Sequence, residues 1–300
     1  MTLFKPEYSG RPIHELPDGA TGYKSRPAEQ LLNEMVDAGV IITEGADFMR
    51  AIPQTFSFPK VVNPLDYLEV LDQKAKGACA GFTMAQIASM NFWVATGGER
   101  TESFSGDAMY LLAQEDDGLL GRDVGSTPTG CAKVVQNIGV VPLSAYGPTV
   151  KTYRELKRVT EAHREAAADY KLSSIVRLKT YDQIYQFLGG GMGAIQVCSL
   201  WKQHFMSNNI VQSFHGGRHN SQHGGGHSYT ANGYDENGNI LITNSWNTTV
   251  HDEGGFLMTP QCIRELLQDR MSVVLGYSNM VTSHAKPPGP RKIKIVSEDW

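Results

Sequence analysis

The sequence predicts an α+β protein on three observations. Apolar residues recur at helical spacing through the front half, short β-like runs broken by glycine and asparagine fill the back half, and the composition suits one large core or two modest ones. Of the 300 residues 41% are hydrophobic and 19% charged, as in an ordinary globular chain.

Taken in order, residues 1–57 are rich in Pro, Gly and charge, except from Pro27 to Met49, where Leu31, Leu32, Met35 and Val36 recur at helical spacing. This stretch reads as an extension outside the main core, either a packing arm or a short inhibitory pro-segment. From Gly77 to Ala95 the chain is dense in Ala, Met, Phe and Ile and has no proline, which predicts a long, nearly fully buried helix with Cys79 at its N-terminus. Further helices are expected over Ser105 to Gln114 and Gly130 to Gln136. A charged surface helix is expected over Thr152 to Tyr170, where Lys157, Glu161 and Glu165 recur every four residues.

The pattern then shifts to short strands at residues 175–178, 194–197, 228–233, 240–244 and 255–258. Asp235 to Asn239 reads as a hairpin turn, with Gly238 able to take positive φ. The glycine run Gly189 to Gly193 lacks the ending of a phosphate loop and reads as a turn before a strand. Pro287 to Pro290 mark residues 281–300 as an extended, basic tail.

A net charge of −4 gives no electrostatic case for nucleic acid or an anionic membrane as principal partner. The N-terminal stretch has prolines and charges where a signal peptide needs an apolar run, and no stretch is long enough to span a bilayer. Four dispersed cysteines (Cys79, Cys131, Cys198, Cys262) make no disulfide framework. Together these predict a cytoplasmic or otherwise reducing compartment.

The chemistry centres on Cys79. A thiol attacks a carbonyl only as thiolate, so a catalytic cysteine needs stabilisation of its anion, a proton acceptor and donors for the oxyanion. The N-terminus of a helix supplies unpaired N–H groups and the positive end of the macrodipole. His227 opens a β-like run that would hold its ring rigidly. Asn244, followed by Ser245-Trp246, is placed to accept a hydrogen bond from the imidazole while the indole shields that bond from water.

These motifs resemble the papain-like cysteine peptidases. Gln73, six residues before Cys79, matches the family's oxyanion-hole glutamine. His227 with Gly233-Tyr234, and Asn244-Ser245-Trp246 with Glu253-Gly254-Gly255-Phe256, resemble its histidine and asparagine motifs. The family places His and Asn roughly 130–150 residues after the cysteine; here the spacings are 148 and 165.

The resemblance runs from about Pro59 to Tyr277. It implies a two-lobed fold over residues 58–280, with a helical lobe at about 75–170, a barrel-like β lobe at about 171–280 and the site in the cleft between them. It further implies a peptide or protein substrate, no cofactor, and Gly125-Ser126 in the place of a glycine pair whose backbone binds peptide. The chain departs from the family at Ala80, where an aromatic residue usually follows the nucleophile, and at Lys76, where a half-cystine usually stands. Such departures are of the kind found in divergent bacterial or viral-type members.

Two other functions fit the same residues: a catalytically silent peptide-binding module, and an acyl or peptidyl transferase using the same triad. Cys131, Cys198 and Cys262 read as small core hydrophobes. His215, His219, His223 and His227 recur every four residues, a metal-ligand spacing, but the glycines among them argue for a loop with incidental histidines and no metal.

Overall fold

The computed structural model describes residues 26–50, 68–216, 225–251 and 253–285. The expected His219 and His223, most of the C-terminal tail and residues 1–25 and 51–57 of the extension lie outside the described residues. No helix among the described residues is long and apolar enough to cross a membrane.

The extension contributes α1 (Ala28–Asp37), β1 (Ile42–Glu44) and α2 (Gly45–Arg50). Leu31, Leu32 and Met35, one face of α1, are buried, and the helix packs on α5 (Pro128–Asn137) of the helical lobe. β1 pairs in parallel with β2 (Lys171–Arg177), and the Ala28 N–H donates to the Arg270 carbonyl. Residues 28–44 therefore touch both halves of the molecule.

The helical lobe is built on α3 (Cys79–Ala95), α4 (Gly106–Asp116) and α5. Every residue from Cys79 to Ala88 is buried, because a helix apolar on all sides finds its free-energy minimum inside a core. Gly81 and Gly106 set how closely α3 and α4 approach: a Cβ at Gly81 would meet the Tyr110 backbone nitrogen at 2.6 Å, and one at Gly106 would meet the Phe82 ring at 2.5 Å. Ser105 caps α4 by accepting from the Ala108 N–H, and Thr127 caps α5 ahead of Pro128.

The charged stretch after α5 is not the single helix its spacing predicts. A 3₁₀ turn at Tyr153–Glu155 gives way to extended backbone at Leu156, and α7 (Glu161–Ala167) starts afresh at a capping box of Thr160 and His163, after the short α6 (Leu143–Tyr146). Leu156 and Val159 pack against the helical-lobe core, and a continuous surface helix would lift them out of it. Tertiary packing outweighs the four-residue charge spacing here.

The back half forms strands where the sequence predicts them, plus further elements outside the predicted runs. β3 (Gly193–Leu200), β5 (Gly226–Tyr234), β6 (Ile240–Thr243), β7 (Gly255–Met258) and β8 (Val273–Val281) join β1, β2 and the short β4 (Ile210–Val211) in a sheet of order β1-β2-β8-β3-β5-β6-β7-β4. Two helices, α8 (Tyr181–Gly189) and α9 (Pro260–Gln268), pack on the β lobe. The turn at Asp235 to Asn239 has Gly238 at φ 76°, with Asp235 Oδ1 accepting the N–H groups of Asn237 and Asn239. Gly189 to Gly193 form the turn between α8 and β3.

Candidate active site

α3 and β5 meet where the two halves join, and polar side chains fix their register. Gln86 accepts from the Thr230 hydroxyl at 2.8 Å, and the Ser228 hydroxyl donates to Thr83 at 3.1 Å. Thr83 and Gln86 lie one and two turns beyond Cys79 on one helix face. One turn of helix and two residues of strand advance similar distances, about 5–7 Å. The register therefore brings Cys79 level with Gly226 and His227.

Gln86 reaches further, donating through Nε2 to the Asn244 carbonyl at 3.1 Å. A single side chain on the cysteine's helix thus touches the strand of His227 and the backbone of Asn244.

His227 Nε2 lies 2.8 Å from Asn244 Oδ1. The Ser245 backbone N–H donates to the same Oδ1 at 2.8 Å, so that end of the amide is the oxygen and His227 Nε2 must carry the proton. In the neutral ring Nδ1 is then the acceptor nitrogen. Aromatic rings hold the imidazole in plane: Trp246 stacks on it at 4.6 Å and 28°, Tyr229 at 5.9 Å and 29°, and Trp201 meets it edge-on at 4.8 Å.

Gln73 is fully buried. Its Oε1 accepts from the Ser245 hydroxyl at 2.6 Å, and its Nε2 donates to the Lys76 carbonyl at 2.8 Å. The amide is oriented with its nitrogen toward the segment that leads into Cys79. The Gln73 N–H donates to the Ser245 carbonyl, and Asp72 bridges to Trp246, so Gln73 and Asn244 sit on adjoining backbone. Cys79 begins α3 with the non-helical Ala78 before it, which leaves first-turn N–H groups without intrahelical acceptors.

The remaining sequence-predicted positions fall as follows. Gly125 has φ 84°; its N–H donates to Tyr110 Oη and its carbonyl accepts from Gln114, so protein groups occupy both. Ser126 is fully buried. Ala80 is 1% exposed and packs into the helical-lobe core, so its small size serves packing and not an open cleft wall. His215 packs edge-on against Phe214, and no group of three metal-ligating side chains occurs among the described residues.

None of the four cysteines, all described, is in a disulfide. Burial pushes the thiols of Cys131 and Cys198 well above the usual range and that of Cys262 up to about 12, as suits inert core thiols. Cys79 and His227 are also 0% exposed. Sequence reasoning missed Gln86 and Trp201. Gln86 carries no motif; Trp201 lies four residues beyond the predicted strand 194–197, and its ring finds its role only through pairing of β3 with β5.

A helical lobe carrying a buried central helix, a β lobe carrying the paired His and Asn, and their junction at Cys79 define the papain-like two-lobed fold of cysteine proteases. The chain is similar to the crystal structure of xylellain, a cysteine protease from Xylella fastidiosa, with a TM-score of 0.59 and 17% identity over 94% of this chain and 98% of that one. It is also similar to procathepsin B S9 from Trypanosoma congolense (TM-score 0.57, 14% identity, 82% and 89% covered). The bromelain protease of Ananas comosus, solved with the E64 inhibitor, gives a TM-score of 0.54 and 17% identity over 73% of this chain and 99% of that one. No protein-family model matches the sequence, and no curated protein sequence does.

Proposed function

We propose that this chain is a cysteine peptidase that hydrolyses peptide bonds through Cys79, His227 and Asn244, with Gln73 and the Cys79 backbone N–H as oxyanion donors. The observation that carries the reading is the 2.8 Å bond between His227 Nε2 and Asn244 Oδ1, set in register with the helix that begins at Cys79. A proton fixed on Nε2 leaves Nδ1 to take the thiol proton, and the helix N-terminus favours the resulting thiolate.

Cys79 Sγ attacks the peptide carbonyl, forming a C–S bond and a tetrahedral oxyanion. The Gln73 amide and the Cys79 N–H stabilise that charge. The imidazolium then protonates the leaving amine as the C–N bond breaks, giving a thioester. Water deprotonated by His227 hydrolyses the thioester and restores the thiol. Trp246 and Trp201 exclude water from the His–Asn bond, which strengthens it. Peptide binding along Gly125-Ser126 would require their buried backbone to be uncovered, since both Gly125 backbone groups are engaged and Ser126 is 0% exposed. The steps call for no cofactor.

A second reading of the same residues is a catalytically silent peptide-binding module. Peptide mapping after brief iodoacetamide treatment at about pH 6 separates the two. The three core thiols are held protonated by burial, so labelling confined to Cys79 and lost in His227→Ala supports the peptidase. No labelling of Cys79, or labelling indifferent to His227, supports the silent module. Cys79→Ala is expected to lower cleavage of a peptide library by about 10⁴-fold or more. Added amine nucleophiles then report whether the thioester is hydrolysed or transferred.

A further inference from the structure

The backbone between Gln73 and Cys79 crosses from one lobe to the other, and each end is tied down. On the β-lobe side, the Gln73 N–H donates to the Ser245 carbonyl and Asn247 Nδ2 donates to the Asp72 carboxylate at 2.9 Å. On the helical side, the Ala75 N–H donates to the Lys151 carbonyl and the Gly77 N–H to Asp123 Oδ1 at 2.9 Å. Tyr110 also donates to Asp123 Oδ1. Between these ties Lys74 has φ 57°, a left-handed conformation that costs a non-glycine residue roughly 1 kcal/mol or more and persists only when its surroundings enforce it.

At the centre of the helical-side ties is a buried charge. The Lys76 and Asp107 side chains are both 0% exposed, with Nζ 3.2 Å from Asp107 Oδ1. Nζ also donates to the Val150 carbonyl, and the Val150 N–H donates to Asp107 Oδ2 at 3.0 Å. The three residues close a small ring of one ion pair and two hydrogen bonds. Burial pushes Lys76 below the usual lysine range and Asp107 above the usual carboxylate range, while each partner's charge pulls the other back. Asp72, Asp123 and Glu155 are the other charged groups that act on this ammonium.

An apolar pair of equal volume would avoid the desolvation that such an ion pair suffers, so a pair of this kind is better suited to selecting one arrangement than to adding stability. The arrangement selected here is that of the Lys76 main chain, whose carbonyl takes the Gln73 amide at 2.8 Å.

We propose that Lys76 is a positioning residue. Its ammonium, pinned between the Asp107 carboxylate and the Val150 carbonyl, holds the 73–79 segment so that the Gln73 amide points at the oxyanion. This rests on the assignment of Cys79 and Gln73 made above. Where the papain-like family has a half-cystine, this chain places a charge, and an ionic pin does the work of a covalent one.

The double substitution Lys76→Met/Asp107→Leu removes both charges without stranding either. It is expected to lower kcat about 10-fold to 100-fold, part of the loss expected for removing an oxyanion donor outright, with KM changed by less than about twofold. Alkylation of Cys79 by iodoacetamide, and its pH dependence, should stay as in the wild type, because they report the thiolate and imidazole alone. In a Gln73→Ala background the double substitution should change kcat by no more than about twofold, since the group being positioned is gone. Hydrogen exchange of the 73–78 amides should quicken.

An unchanged kcat, an equal loss in the Gln73→Ala background, alkylation falling in step with kcat, or unchanged exchange over 73–78 each overturns the proposal. If the wild type cleaves no peptide, the peptidase reading falls, and the exchange rates alone decide whether the pin exists. If the double variant does not fold, Lys76→Met serves alone. Asp107, with its carboxyl already pushed up by burial, then takes a proton and keeps its bond to Val150.

Discussion

On the helical side of the cleft the residues leading into Cys79 are held by charge and directed hydrogen bonds, from Lys76 to Asp107 and Val150 and from Gly77 to Asp123. On the β side His227 is held by rings, between Trp246, Tyr229 and Trp201, with Asn244 as a directed partner. On the proposed mechanism the helical side must fix the direction of an amide, and only directed bonds do that. The β side must keep an imidazole flat and dry, and stacked apolar surface does that without offering a competing partner. The two halves should therefore fail differently: one to loss of charge with volume kept, the other to loss of volume.

The largest effect is expected at Trp246→Ala. Its ring is 1% exposed and contacts both His227 and Trp201, so its loss should cost about 3–5 kcal/mol in urea unfolding. It should also lower kcat, by admitting water to the His–Asn bond. Unchanged stability would show that the rings line the site without supporting it.

A second histidine sharpens the contrast. His251 lies fully buried against Phe256 and Trp201, with Nε2 at 2.9 Å from the Phe205 carbonyl and φ 58°. Burial lowers its pKa to about 4 from 6.5. The folded state thus favours the neutral ring, and the unfolded chain takes up the proton first. This contribution is intact above about pH 6.5 and is lost as pH falls toward about 4, amounting to about 3 kcal/mol. His251→Asn, which tolerates left-handed backbone, should remove that slope. Parallel stability–pH curves for wild type and variant between about pH 7 and 4 would contradict the assignment.

The smallest effect is expected at the seam between the two halves. Gln86→Leu keeps the bulk but strands the Asn244 carbonyl and the Thr230 hydroxyl, at a cost of about 1–3 kcal/mol. If Gln86 sets the register of α3 against β5, kcat should fall more than stability alone explains at a temperature where the variant is fully folded. A fall in stability with kcat intact would reduce Gln86 to a packing residue.

Much of this molecule is legible in its sequence, for local reasons. α3 shows as an unbroken apolar run, the strands as short runs between glycines, and the turn at Gly238 through its flanking Asp and Asn. Cys79, Gln73, His227 and Asn244 stand out because reaction chemistry restricts residue type and order. α8 and α9 were overlooked although each carries a local start signal: Thr180 and Gln183 form a capping box, and Thr259 caps α9 ahead of Pro260. The break in the expected helix at Leu156 has no such signal. It is set by the core into which Leu156 and Val159 turn.

By itself the sequence determined which side chains have the chemistry for a thiol site and which halves of the chain form helices or strands. Both follow from residue type and near-neighbour spacing. The tertiary structure alone decided that the Nε2 proton of His227 points at Asn244, that Trp201 backs its ring, and that Lys76 finds Asp107 31 residues away. Those are contacts between positions remote in the chain, and no local pattern encodes a partner that only folding brings close.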